Sequence, residues 1–309
     1  MTVLRRSGPS AAARPAAAPR LEALIPYRFT AADGRTPGRA PAAFHDQADL
    51  LYGLGGDTSW AAGLPAVSYH DMARAIARDL AGRLDGVDLV ITVEASPDCR
   101  NQSSPACVLA DLLPGEPLVL GICEQGVAGP FTALRTAAEM IGGLAARRAL
   151  VVVLEQSTLP PGGTRPPADL AVALLVGAEG DGPVLGRPTV TVTGRFDTPA
   201  PVLAPYSAAH ERAEAGSGGG ARTLVLGEAL ADLEPAPGVA VRHAEGGHPC
   251  AGVWLALADL LADGAAPGES VLIADRDPRL PYVCSVLIFP AGDPATPVGT
   301  NSARQGVAL

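Results

Sequence analysis

Two stretches of this chain carry no polar side chain, and they constrain everything around them. Residues 149–154 read ALVVVL and residues 170–176 read LAVALLV. A strand that is apolar on both faces needs cover on both faces, which is the situation in layered α/β proteins. The flanking pattern agrees. Tyr69–Leu84 places Met72, Ile76, Leu80 and Leu84 on one helical face. Asp88–Val93 and Pro117–Cys123 read as strands. Val127–Leu144 reads as a helix with Phe131, Leu134, Ala138 and Ile141 along one side.

The second part of the chain repeats this grammar. Thr189–Thr193, Thr223–Leu226, Ser270–Ala274 and Tyr282–Phe289 read as strands, and Cys250–Leu261 as an apolar helix. Ala128-Gly129 opens a helix that leads into ALVVVL; Ala251-Gly252 opens one that leads into SVLIA at similar spacing. Two packed βαβαβ halves explain this, and so does ordinary alternation within one sheet. The expected organisation is a leader and extended segment over 1–65, with 1–20 disordered, followed by a first half over 66–195. A flexible connection over 196–220, ending in GSGGG, leads to a second half over 221–309.

Composition removes several functions. The net charge is −9 and no basic stripe exists, so a nucleic-acid partner is not expected. No apolar run approaches the ~20 residues of a membrane span, so no membrane role is expected. Cys99, Cys107, Cys123, Cys250 and Cys284 contain no CxxC pair, so neither a disulfide framework nor a zinc knuckle is indicated. The expected location is the cytoplasm, with no cofactor and no metal.

Chemistry concentrates in residues 121–135, GICEQGVAGPFTALR. A buried strand ends in a glycine-bracketed turn and a helix begins at once. Such an elbow sets one side chain at a helix N-terminus, where a cysteine has a lowered pKa and acts as a nucleophile. The residue there is Val127, which has no such chemistry.

Several segments in order resemble the thiolase superfamily, and within it the β-ketoacyl-acyl-carrier-protein synthase III group. They are Ala95-Ser96-Pro97-Asp98, Ser103-Ser104-Pro105-Ala106 and Val127–Leu134. Further on come Gly246-Gly247-His248-Pro249-Cys250-Ala251-Gly252, Leu255-Ala256-Leu257 and Pro267–Ile273. The resemblance implies a thiolase-like fold, two pseudo-symmetric βαβαβ halves in a five-layer αβαβα arrangement. It also implies a dimer whose sheet continues across the interface. Members use a cysteine, a histidine and an asparagine. The matching positions here are Val127, the segment Leu224–Leu230 with no histidine, and Gly247 or His248.

That reading makes the chain a non-catalytic subunit. It would pair with itself or with an active synthase III-like partner, and would meet acyl-carrier protein or acyl-coenzyme A. Val127, Gly247 and His248 would line the acyl pocket. The alternative is an acyltransferase of altered mechanism. A register change at the elbow would make Cys123 the nucleophile, with Glu124 or His248 as base; otherwise Cys123 is a small buried hydrophobe. Glu124 and Gln125 resemble the run before the cysteine of plant-type polyketide synthases, or else Glu124 is a paired carboxylate near a helix start. Cys250 heads a helix as a second thiol. His243 and His248 lie five residues apart without a third metal ligand in spacing. His45, His70 and His210 sit outside any motif.

Overall fold

The computed structural model describes residues 18–30, 67–99, 104–158, 166–192, 222–235, 237–263 and 270–291, with short pieces between 32 and 57. His45, His210, residues 101–103, the connection over 196–220 and Pro267-Gly268-Glu269 lie outside the described residues.

The first half is built from β1 (Arg20–Phe29), α1 (Tyr69–Asp79), β2 (Leu89–Glu94), α2 (Pro105–Leu112), β3 (Leu118–Cys123), α3 (Ala128–Gly142), β4 (Arg148–Glu155) and β5 (Asp169–Gly177). A two-residue strand β6 (Val184–Leu185) leads to the second half. That half holds β7 (Thr189–Val192), β8 (Arg222–Leu226), β9 (Val239–His243), α4 (Gly252–Ala262), β10 (Val271–Arg276) and β11 (Tyr282–Phe289).

Strand order shows the duplication. The first half runs β3-β2-β4-β5-β1 and the second β9-β8-β10-β11-β7. The pairings correspond one for one. β2 is parallel to β3 and β4, as β8 is to β9 and β10. β4 and β5 are antiparallel, as are β10 and β11. β5 and β1 are antiparallel, as are β11 and β7. Ordinary alternation in one sheet does not generate matched orders. β6 joins the halves by pairing with Arg20 of β1 and with the end of β11.

The cores follow from the apolar runs. α3 and α4 pack between the halves, Phe131 against Trp254 with ring centroids 5.2 Å apart, among Ile91, Val151, Val172, Ile273 and Val286. Each fully buried side chain of this size contributes about 1.5–3 kcal/mol. The other face of the first half's sheet (Val90, Leu150, Val152, Ala173) lies under Met72 and Ile76 of α1 and Leu109 of α2. α1 starts where Ser68 accepts the Asp71 N–H, and α2 where Ser104 caps Ala106 ahead of Pro105. The outer face of the second half (Leu224, Leu226, Leu272, Ala274) carries a smaller cluster with Leu230 of a 3-10 turn, Glu228–Leu230. Among the described residues that turn is all that stands for the fifth layer.

β1 lies inside the segment over 1–65 read as leader and extended chain. It instead completes the first half's sheet, pairing with β5 from Arg20↔Gly177 to Phe29↔Asp169. Its sequence RLEALIPYRF lacks a buried-strand pattern because most of its side chains are only half-buried. Beyond Leu21, whose N–H donates to the Pro183 carbonyl, its second side pairs with no strand among the described residues, which is where a strand tolerates Pro26. The helix expected over Tyr69–Leu84 ends at Asp79 and finishes as a 3-10 turn over Ala81–Arg83.

Candidate functional site

The elbow between β3 and α3 has the expected sharp geometry. Glu124 (φ 57) and Gly126 (φ 52) both take the left-handed conformation, and Val127 follows as the N-cap of α3. Valine has no side-chain group to cap the helix. The cap comes from the hairpin after β10: Asp277 Oδ2 accepts the Val127 N–H at 3.2 Å. Its Oδ1 accepts the N–H groups of Arg279 (2.9 Å) and Leu280 (2.8 Å). A Cβ on Gly126 would collide with the same carboxylate, so the elbow needs glycine for room as well as for φ.

The second helix start is capped reciprocally. Glu155, the last residue of β4, is fully buried. Its Oε1 accepts the N–H groups of Cys250 (2.6 Å) and Ala251 (2.9 Å). Its Oε2 lies 2.8 Å from His248 Nδ1. The carboxylate is an acceptor, so Nδ1–H donates, which leaves Nε2 on the other side of the ring. That Nε2 is buried and has no hydrogen-bond partner. Each half thus supplies a carboxylate to the helix N-terminus of the other.

Val127 and His248 line one cavity of about 310 Å³, together with Glu228, Glu245, Asp275 and Arg276. The expected pocket residues Val127, Gly247 and His248 therefore lie together: Gly247 (φ 86) donates its N–H to Glu228 Oε2 at 2.9 Å beside the cavity. Asp275 sits beside Gly227, which lies within the segment Leu224–Leu230. A Cβ on Gly227 would overlap the Asp275 carboxyl, which fills that side chain's space. Burial, then the charges of Asp277, Glu228 and Glu155, push Asp275 up to about 8, against one opposing bond from the Arg276 N–H.

The thiols are different. Cys123 ends β3 at the surface, outside the cavity lining. Partial burial of the thiol, then Glu94 and Glu124, push it up to about 11, so it is not a thiolate at neutral pH. Its polar neighbour is Glu94, itself pushed up to about 7 by burial, while His248 is tied to Glu155. Glu124 is exposed and partial burial raises its carboxyl. Cys250 is buried, its thiol donating to the Gly126 carbonyl at 3.1 Å, and burial next to Glu155 holds it well above the ordinary thiol range. His243 ends β9 exposed at the surface, and His70 lies buried in α1. Among the described residues no three ligating side chains form a metal site, and no helix is long and apolar enough to cross a membrane.

Sequence reasoning did not single out Glu155, Asp275 and Asp277. The signal was present: VLE and IADRD each place acids directly after a fully apolar run, at corresponding points of the two halves.

No family model matches the sequence, and no curated protein resembles it. Solved structures match over most of the chain. A variant of OleA from Xanthomonas campestris is 14% identical, with a TM-score of 0.56 over 88% of this chain and 98% of its own. The 3-oxoacyl-(acyl carrier protein) synthase III, FabH, of Xanthomonas oryzae gives the same figures. The tetronic acid condensing enzyme AbyA1 is 19% identical, with a TM-score of 0.54 over 72% of this chain and 84% of its own. At these identities the likeness is one of fold, and the chain has the thiolase-like fold.

Proposed function

We propose that this chain is a non-catalytic synthase III-like subunit, cytoplasmic, that pairs with an active condensing or acyltransferase subunit in fatty-acid, polyketide or related biosynthesis. The observation that carries this reading is the occupancy of the three positions the resemblance marks as catalytic. Val127 stands at the elbow, the segment Leu224–Leu230 holds no histidine and has the Asp275 carboxyl against its Gly227, and at Gly247-His248 the histidine is bonded to Glu155. The N–H that an elbow nucleophile would offer to an oxyanion is taken by Asp277. Valine can neither take an acyl group nor lose a proton.

Pairing is supported by the outer edge of β3. Leu118 is 50% exposed there, and Val119, Leu120 and Ile122 are only half-buried. An apolar open edge strand favours a neighbouring strand. A second reading has one observation behind it: the Glu155–His248 pair with its unpartnered Nε2 has the form of an oriented general base. Acyl-carrier protein or acyl-coenzyme A would then be the acyl source.

The test is co-production with a synthase III-like partner whose elbow cysteine is intact. Under the subunit reading the two co-purify, and condensation is lost when the partner's cysteine is replaced. His248→Gln in this chain leaves catalysis by the pair within about threefold. Turnover by this chain alone that disappears with His248→Gln establishes the second reading instead.

A further inference from the structure

A carboxyl group lies against the open edge of the first half's sheet. β3 is the outermost strand there and, among the described residues, pairs only with β2. Its sequence LVLGIC carries no charge. Glu94 ends β2 directly opposite Cys123 of β3. Its carboxyl reaches over β3 because Gly121 has no side chain: a Cβ there would stand 3.8 Å from Glu94 Oε1, 3.8 Å from Thr92 Oγ1 and 3.7 Å from Ser104 Oγ. Thr92 Oγ1 donates to Glu94 Oε1 at 3.2 Å, and the Cys123 thiol donates to the same carboxyl. The titratable groups facing Glu94 are Cys123 of β3, Glu124 of the elbow and Asp98 of the segment after β2, while the start of α2 offers only the Ser104 hydroxyl. Among the described residues no arginine or histidine pairs with it. Burial first, then the charges of Asp98 and Glu124, push Glu94 up to about 7 against the bonds from Thr92 and Cys123.

We propose that pairing at this edge is proton-linked: a second copy of this chain docks on β3 while Glu94 is protonated, and the pair separates as Glu94 ionises. The inference rests on the β3 pairing proposed above, with a second copy as the neighbour. In an antiparallel pairing about a two-fold axis LVLGIC meets LVLGIC, so apolar side chains meet apolar ones and no charge meets its like. The added strand lies about 4.8 Å beyond β3 and takes water from the Glu94 carboxyl. It brings no cation, so the neutral carboxyl is favoured in the pair. Each copy takes up one proton from the buffer on pairing and returns it on separation. Pairing is therefore at full strength below about pH 7 and weakens as pH rises above that value.

The experiment is sedimentation equilibrium of the full chain at pH 6, 7 and 8 and equal ionic strength, with far-UV circular dichroism as the check on folding. The wild-type dissociation constant is expected to rise roughly tenfold or more from pH 6 to pH 8, two protons being linked. Glu94→Gln, which keeps an acceptor for Thr92, changes by less than about threefold over the same range. Leu118→Arg sets a charge on the open edge and removes pairing at every pH. Dilution calorimetry of the wild type in two buffers of different ionisation enthalpy reads proton release as pairs separate, whatever the variants do. Wild-type pairing without pH dependence, pH dependence that survives Glu94→Gln, pairing that Leu118→Arg leaves intact, or a chain monomeric throughout overturns the proposal. Pairing that ignores pH but is lost with Leu118→Arg overturns the proton link and leaves the β3 edge as the interface. Failure to co-purify with an intact synthase counts against the subunit reading alone.

Discussion

The two halves share a strand order, a central helix and a capping device, yet they treat equivalent carboxylates in opposite ways. Ala95 N–H reaches the Leu154 carbonyl as Gly227 N–H reaches that of Ala274, so Glu155 and Asp275 occupy matching places after β4 and β10. Glu155 meets the start of α4 and accepts three bonds. Among the described residues Asp275 caps no α-helix, accepts one hydrogen bond, from the N–H of its neighbour Arg276, and is pushed up to about 8. In the second half the cap has moved two residues on, to Asp277. Duplication preserved the scaffold and left one of the two carboxyls free to line a cavity.

The largest test of this comparison is Glu155→Ala. It leaves two buried N–H groups and His248 Nδ1 without partners, and urea unfolding is expected to show a loss of about 3–5 kcal/mol. Asp277→Ala breaks the corresponding cap in a more exposed hairpin and costs about 2–3 kcal/mol. Equal losses would mean that the two caps are energetically symmetric.

Gly227→Ala sharpens the same comparison. Its Cβ meets the Asp275 carboxyl, so about 1–3 kcal/mol of stability is lost. Asp275→Gly in the same chain should return most of that. A null effect of Gly227→Ala would mean that Asp275 does not fill the space beside Gly227.

Protonation gives the next effect. Asp275 holds its proton in the folded chain up to about pH 8 and loses it near the ordinary 3.8 when unfolded. The folded state therefore binds the extra proton between those values, and stability falls as pH rises through that window, levelling off above about 8. The slope from this group is at most about 1.4 kcal/mol per pH unit. Glu94 acts in the same direction but only up to about 7. Urea unfolding of wild type and Asp275→Asn should therefore diverge in slope most cleanly between pH 7 and 8. The smallest expected effect is Cys123→Ala, which changes stability by less than about 1 kcal/mol because that thiol lies at the surface.

What was legible in the sequence was whatever short-range patterning carries. The apolar runs fixed β4 and β5, and the Ala-Gly helix starts marked α3 and α4. β1 was hidden because RLEALIPYRF lies half-buried, with charge and proline among its apolar residues. The elbow was legible as a local turn, with Val127 in its place. Its cap was not, because Asp277 is 150 residues away, and Glu155 lies 95 residues from Cys250. No local pattern reports which carboxylate closes which helix.

A non-catalytic subunit holds no acyl group at its own site. Intact-protein mass spectrometry of the wild-type chain after incubation with acetyl-, malonyl- and longer acyl-coenzyme A, and with acyl-carrier protein, tests it directly. The expected spectrum is the unmodified mass in every case. Val127→Cys is the internal comparison: Asp277 beside that N–H keeps the new thiol poorly ionised, so adducts form slowly and faster once Asp277→Asn is added. A stoichiometric acyl adduct on the wild-type chain, mapped to Cys123 and turning over, would contradict the claim.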